Sequence, residues 1–150
     1  EKELARWMVD EVQEVYRLGV DVRLGTYVEA DDVARIAPEV VIVATGSEVQ
    51  LALAAQAALA EQDIAVRVVS MPSTTVFDRQ SVEYKVAVLP NKVPRIAVEM
   101  GATGGWWKYG CAAVIGIDAF GESAPAPALF KHFGFTAQNV ADTVRKVLSK

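Results

Sequence analysis

"PEVVIVATGSEVQLAL", residues 38–53, holds the two signals that decide the fold. Residues 40–45, "VVIVAT", form a continuous run dominated by β-branched side chains, the mark of a strand covered on both faces. After Gly46, "SEVQLALAAQAALAEQ" at 47–62 reads as a helix whose alanines supply propensity. Ser47 and Gln50 fit a capping box at its start. A strand leading through a glycine into a helix is one βα unit of a parallel sheet.

The alternation extends in both directions. Upstream, Leu4, Trp7, Met8, Val12, Val15 and Leu18 follow helical spacing, which predicts an amphipathic helix over 2–18 ended by Gly19. "VDVRL" at 20–24 alternates as a strand does, and "EADDVARIA" predicts a short helix at 29–36 before Pro38. Downstream, strands are expected at 65–70, 95–99 and 112–117. Helices are expected at 81–89, stopped by Pro90, and at 123–134, with Gly134 at its C-cap. Thr136 should cap a final helix whose apolar face is Val140, Val144, Val147 and Leu148. The pattern gives a single three-layer α/β/α, Rossmann-like domain over 1–150.

Composition sets the outer bounds. At 150 residues the chain suffices for one sizeable core. Apolar runs such as Val40–Ala44 are far too short to span a bilayer, and no signal peptide or lipidation motif is read. Cys111 is the one cysteine, so no internal disulfide can form. A net charge of −4 leaves no basic footprint for nucleic acid. A soluble, cytoplasmic protein without nucleic-acid or membrane partners is expected. Charge is uneven, however: residues 1–46 carry ten acidic and five basic side chains, whereas 47–150 carry nine and ten.

Several long motifs then point to a family. "VATGSEVQLALAAQ" (43–56), "VRVVSMPSTTVFDRQ" (66–80), "LPNKVPRIAVEMGATGGWWKYG" (89–110) and "GIDAFGESAPAPALFKHFGFT" (116–136) follow one another in the order and spacing of the transketolase C-terminal domain. From Val40 onward the chain resembles that domain closely. Residues 4–46, ending in "GVDVRLGT" and "EVVIVATG", are instead similar to the dinucleotide-binding region of the NADH:flavin oxidoreductase group, which includes dienoyl-CoA reductase and trimethylamine dehydrogenase. "VVIVATG" suits both families. The chain also opens at Glu1 without a methionine. The expectation is therefore an engineered or recombined chimera, with residues 1–46 from a flavoprotein-like fragment, 47–150 from a transketolase-like one, and the seam within 40–47.

The resemblance also implies the sheet order. Numbering the expected strands along the chain, the second lies between the third and fourth, with the fifth outside the fourth. If the first takes the free edge beside the third, the five-stranded, mainly parallel sheet reads 1-3-2-4-5. Right-handed crossovers then place the helices at 29–36 and 81–89 on one face and the helix at 47–62 on the other. A crevice should open between Thr45-Gly46-Ser47 and the segment from Glu99 to Thr103, where ligands of open α/β sheets bind. Free N–H groups at the helix start suit an anion, but Glu48 and Glu99 oppose one, so weak phosphate affinity near Gly46 and Ser47 is the most expected there.

No residue is expected to be catalytic, cofactor-binding or metal-binding. Transketolases need thiamine diphosphate and a divalent metal, which the resemblance places on the family's other domains, through a G-D-G…N segment and a pyrimidine-facing glutamate; this sequence has no G-D-G. The flavoprotein G-x-G-x-x-G would precede residue 1. Gly101-Ala102-Thr103-Gly104-Gly105 fits neither that pattern nor a P-loop and reads as a turn. His132 is the only histidine, and a surface or dipole role fits its place near a helix end. Ser123 in "GESAP" lacks the second glycine of a nucleophile elbow, since Pro125 stands there, and reads as a cap. Trp106, Trp107 and Tyr109 could bind a sugar, but packing is preferred. Cys111 reads as a buried filler, and Asp78 with Arg79 as a helix-start pair.

Three functions compete. The favoured one is a chimeric scaffold without catalysis or cofactors. The second is the isolated C-terminal domain of a transketolase, a non-catalytic part of a thiamine-diphosphate-dependent transferase. The third is a weak nucleotide- or phosphate-binding module. A monomer is expected, with homodimerisation through apolar surface around Trp106, Trp107, Phe120 and Phe135 as its liability.

Overall fold

The computed structural model describes residues 38–150. The helices expected at 2–18 and 29–36 and the strand expected at 20–24 lie outside the described residues. Within them the chain runs β1 (Val40–Ala44), α1 (Glu48–Ala60), β2 (Val66–Ser70), α2 (Thr74–Asp78), α3 (Val82–Val88), β3 (Arg95–Val98), two 3-10 turns (Thr103–Gly105 and Trp107–Tyr109), β4 (Ala113–Ile115), α4 (Ala126–His132) and α5 (Ala137–Leu148).

The described strands form one parallel sheet in the order β2-β1-β3-β4. This is the expected order for the four strands described, which correspond to the second to fifth of the five expected. In register, Ile42 of β1 sits opposite Val68 of β2 and Ile96 of β3. All five residues of β1 are fully buried, as the β-branched run requires of a strand covered on both faces.

Alternation along the strands sends side chains to two cores. Val40, Ile42 and Ala44 join Ile96 and Val98 on one face, packed on Ala52, Ala55 and Leu59 of α1 and on Val140, Ala141 and Val144 of α5. Val41, Val43 and Ala97 face the other way, onto Met71, Phe77, Leu89, Trp106 and Tyr109. Ala52 and Ala55 let α1 approach the sheet closely and with Leu59 form its buried stripe, while Ala54, Ala57, Ala58 and Ala60 face outward. The apolar stripe of α5 is the expected one, and Thr136 caps it by accepting from the Asn139 amide at 3.2 Å. Ser73 and Ser81 cap α2 and α3 in the same way.

Three local expectations are corrected. Ser47 makes no capping bond, because its backbone is already helical (φ −66°, ψ −24°) and an N-cap side chain reaches its amide from an extended backbone. Its hydroxyl instead donates to Glu48 Oε2 at 3.2 Å. Ser123 caps nothing: α4 starts after Pro125, since a residue preceding proline is biased away from helical backbone. The expected apolar surface splits, with Trp106 and Phe135 buried and Trp107 and Phe120 exposed. Phe135 turns inward because left-handed Gly134 (φ +78°) redirects the chain between α4 and α5.

That contrast is testable by urea unfolding. Phe135→Ala should cost about 3–5 kcal/mol. Phe120→Ala, at a residue 98% exposed, should stay within about 0.5 kcal/mol of the parent chain.

Candidate functional site

Beyond β1 and β3 the chain leaves the sheet in opposite directions: β1 leads to α1 and back to β2, β3 toward β4. At this divergence lies a cleft of about 490 Å³. Thr45, Ser73 and Thr74 bring hydroxyls to it, Met71 and Trp106 bring apolar surface, and Glu99 and Lys108 bring charge. The expected crevice is therefore present, and it extends toward the β2–α2 connection at Met71, Pro72, Ser73 and Thr74.

Two carboxylates define its electrostatics. Gly46 takes a left-handed backbone (φ +56°) that favours glycine, and Glu48 follows at the helix start, only 5% exposed. Glu99 continues β3. Its Oε2 is buried with no hydrogen-bond partner among the described residues. Burial pushes the Glu99 carboxyl above the usual carboxylate range, and the nearby Glu48 charge pushes it further. Such surroundings oppose phosphate binding despite the helix start.

The Trp106 side of the cleft is tied down by Asp78. Its carboxylate accepts from Lys108 Nζ at 2.7 Å and from the Tyr109 hydroxyl at 2.9 Å, while Lys85 Nζ donates to its carbonyl at 2.6 Å. The Lys108 and Tyr109 bonds hold the Asp78 carboxyl below its ordinary range. Asp78 is thus not a helix-start partner of Arg79: it ends α2 and pins the second 3-10 turn.

The glycine-rich stretch at 101–105 is a turn, as expected. Asp118 organises it, accepting from the Thr103 amide at 2.8 Å and the Thr103 hydroxyl at 2.7 Å, and these two bonds hold Asp118 below the usual carboxylate range. Gly116 sits so close that an added Cβ would meet the Gly101 carbonyl oxygen and Thr103 Cγ2 at 2.8 Å. Arg95 braces the opposite end of the sheet, donating from Nη2 to the Leu89 and Pro90 carbonyls at 2.9 Å. None of Asp118, Gly116, Arg95 and Lys108 was singled out from sequence: Asp118, Gly116 and Lys108 meet partners distant in the chain, and the local carbonyls that Arg95 reaches follow no motif.

His132 is exposed, with Nε2 3.6 Å from Glu122 Oε1 and its ring against Phe133. Trp106 and Tyr109 pack together beneath the sheet, while exposed Trp107 lies with Nε1 3.4 Å from Thr103 Oγ1. Cys111 is buried, and burial pushes its thiol pKa up. Among the described residues no three His, Cys, Asp or Glu side chains converge as a metal-binding group. No described helix is long and apolar enough to cross a membrane. The carboxylate-bearing cleft, with Glu99 lining it and Glu48 beside it, does not suit the diphosphate of thiamine diphosphate.

Because Glu99 is raised in the folded state, its stabilising contribution is complete below the unfolded carboxylate pKa and is lost as pH rises through the folded value. Glu99→Gln should therefore raise the melting temperature at pH 7, with the gain shrinking toward pH 3. Gly116→Ala should cost about 1–3 kcal/mol through overpacking. Calorimetry of both variants across pH checks the two claims.

Comparison with known proteins agrees with the architecture. The family described as the transketolase-like TK C-terminal domain matches residues 25–136. A probable transketolase of Streptococcus pneumoniae is 50% identical over 126 residues, covering 82% of this chain and 19% of its own length. The chain thus spans about a fifth of the length of that relative. The crystal structure of Pichia stipitis transketolase in complex with sedoheptulose-7-phosphate superposes with a TM-score of 0.71 at 46% identity, over 75% of this chain and 16% of that one. A split-gene transketolase, solved as an inactive β4 tetramer, superposes with a TM-score of 0.58 at 31% identity, over 73% of this chain and 39% of that one. These matches give the expected seam no support. Residues 25–46, assigned from sequence to a flavoprotein-like fragment, fall inside the family match, which crosses 40–47 without a break. The flavoprotein-like origin of residues 1–46 and the chimera built on it find no support, and the chain belongs to the transketolase C-terminal domain family.

Proposed function

We propose that this chain serves as the C-terminal domain of a thiamine-diphosphate-dependent transketolase and catalyses nothing alone. The observation that carries this reading is one of extent. The family match takes in most of the chain, yet the chain accounts for only 19% of the pneumococcal relative. The split-gene transketolase supports it from another side, since a longer chain containing the equivalent fold is described there as inactive. The cleft supports it chemically: among the described residues its carboxylates have no histidine, thiol or metal-binding cluster beside them from which an acid–base or nucleophilic pair could be built.

The domain's part is then to pack against the rest of the enzyme. Trp107 and Phe120 flank the Thr103–Asp118 turn, both exposed, and offer apolar surface for that contact. Alone, the chain should be a monomer, with self-association through this surface as the competing state.

Purified chain mixed with thiamine diphosphate, magnesium, a ketose phosphate and an aldose phosphate should transfer no two-carbon unit. Adding a fragment of the pneumococcal relative that ends where the match begins should restore transfer only in the mixture. Turnover by the chain alone would overturn the reading, and so would an associated but inactive mixture.

A further inference from the structure

A second groove, of about 520 Å³, lies between the first turn of α1, helix α4 and the turn into α5. Its walls are mainly apolar: Leu51, Ala126, Pro127, Phe130 and Phe135. Phe130 and Phe135 meet edge to face with ring centroids 6.2 Å apart, so the groove has an aromatic wall. Lys131 and Thr136 complete the lining, and among the described residues no acid joins them. Lys131 is exposed and makes no ion pair or hydrogen bond among the described residues. The acid closest to it in the chain, Glu122, lies against His132 instead, at 3.6 Å. The Thr136 oxygen accepts from the Asn139 amide at 3.2 Å, and its own proton has no acceptor among the described residues.

We propose that this groove binds a small aromatic monocarboxylate, its ring against Phe130 and Phe135 and its carboxylate on Lys131 and the Thr136 hydroxyl. Charge complementarity selects this occupant. Both polar side chains in the lining have a proton to donate, one of them carries a positive charge, and a carboxylate accepts from both. The start of α5, a helix of 12 residues, adds partial positive charge where Thr136 caps it. A neutral aromatic compound would cover the apolar walls and leave Lys131 without a counter-charge. Inorganic phosphate or acetate would meet the lysine and leave Leu51, Phe130 and Pro127 in water. An organic cation would be repelled. The volume lies within the range of small-molecule sites, and an apolar lining with a few placed polar groups is the usual make-up of one.

This inference stands on the groove alone and is independent of whether the chain works within a transketolase. The test is a titration of the full chain at pH 7, followed by amide NMR at Gly134, Thr136 and Gln138. The probes are phenylacetate, its neutral counterpart phenylacetamide, and acetate, which lacks the ring. Phenylacetate should give saturable shifts at these amides, phenylacetamide should bind about tenfold more weakly, and acetate should not saturate. Lys131→Gln should weaken phenylacetate by about the same tenfold factor. Ala126→Trp should fill the groove and abolish the saturable shifts; both positions are exposed, so neither substitution disturbs the core. No saturable shift with phenylacetate, amide or acetate binding as well as the acid, or affinity indifferent to both substitutions would each overturn the proposal. So would shifts of the same amides on diluting the unliganded chain, which would give the groove to a second copy.

Discussion

Strand β1 must satisfy four neighbours at once, and the rest of the structure follows from that constraint. Its backbone pairs with β2 on one edge and β3 on the other, and its side chains meet α1 on one face and the α2–α3 side on the other. No residue in Val40–Ala44 is exposed. A strand so enclosed has little tolerance for polar groups, and a one-residue slip would exchange its two faces: Val40, Ile42 and Ala44 would trade places with Val41 and Val43. That arrangement also fixes where the chain must leave the sheet, at Thr45 and Gly46.

The cleft is a consequence of that exit. Because β1 and β3 are neighbours whose connections diverge, the ends of both strands stay uncovered by their own crossovers. Glu48 and Glu99 are carried there by the start of α1 and the end of β3, so their proximity is set by the sheet register. Removing the Glu99 charge should favour the fold, because burial and the Glu48 charge both disfavour its ionised form. Sites commonly hold such locally unfavourable groups, with the remainder of the fold compensating. Here the compensation is visible in the Asp78, Lys108 and Tyr109 bonds and in the Asp118 turn, which brace the cleft without touching the orphaned oxygen.

Much of this was legible in the sequence wherever the signal was local. The β-branched run of β1, the Thr136 cap and the Val140–Val144 stripe each declare themselves within a few residues. The strand order came with the family resemblance, and so did the crevice. What escaped were contacts between residues far apart in the chain, such as Asp78 with Lys108 and Tyr109, or Thr103 with Asp118. Gly116 was passed over because its reason is the backbone it faces across the sheet end. Ser47 misled because a capping box is defined by residue types, whereas the cap depends on a backbone angle that Gly46 had already set. The expected seam finds no support for a related reason: "VVIVATG" is generic to buried parallel strands, and a shared strand is weak grounds for a shared origin.

The most direct measurement of the central role of β1 is native-state hydrogen exchange, resolved by residue. The amides of Val41–Ala44 should be among the slowest in the chain and should exchange only through global unfolding, while those of edge strand β4 open sooner. If the β1 amides exchanged at the rate of β4, or through a local opening of lower free energy, the strand would not be the element on which the sheet and its cleft depend.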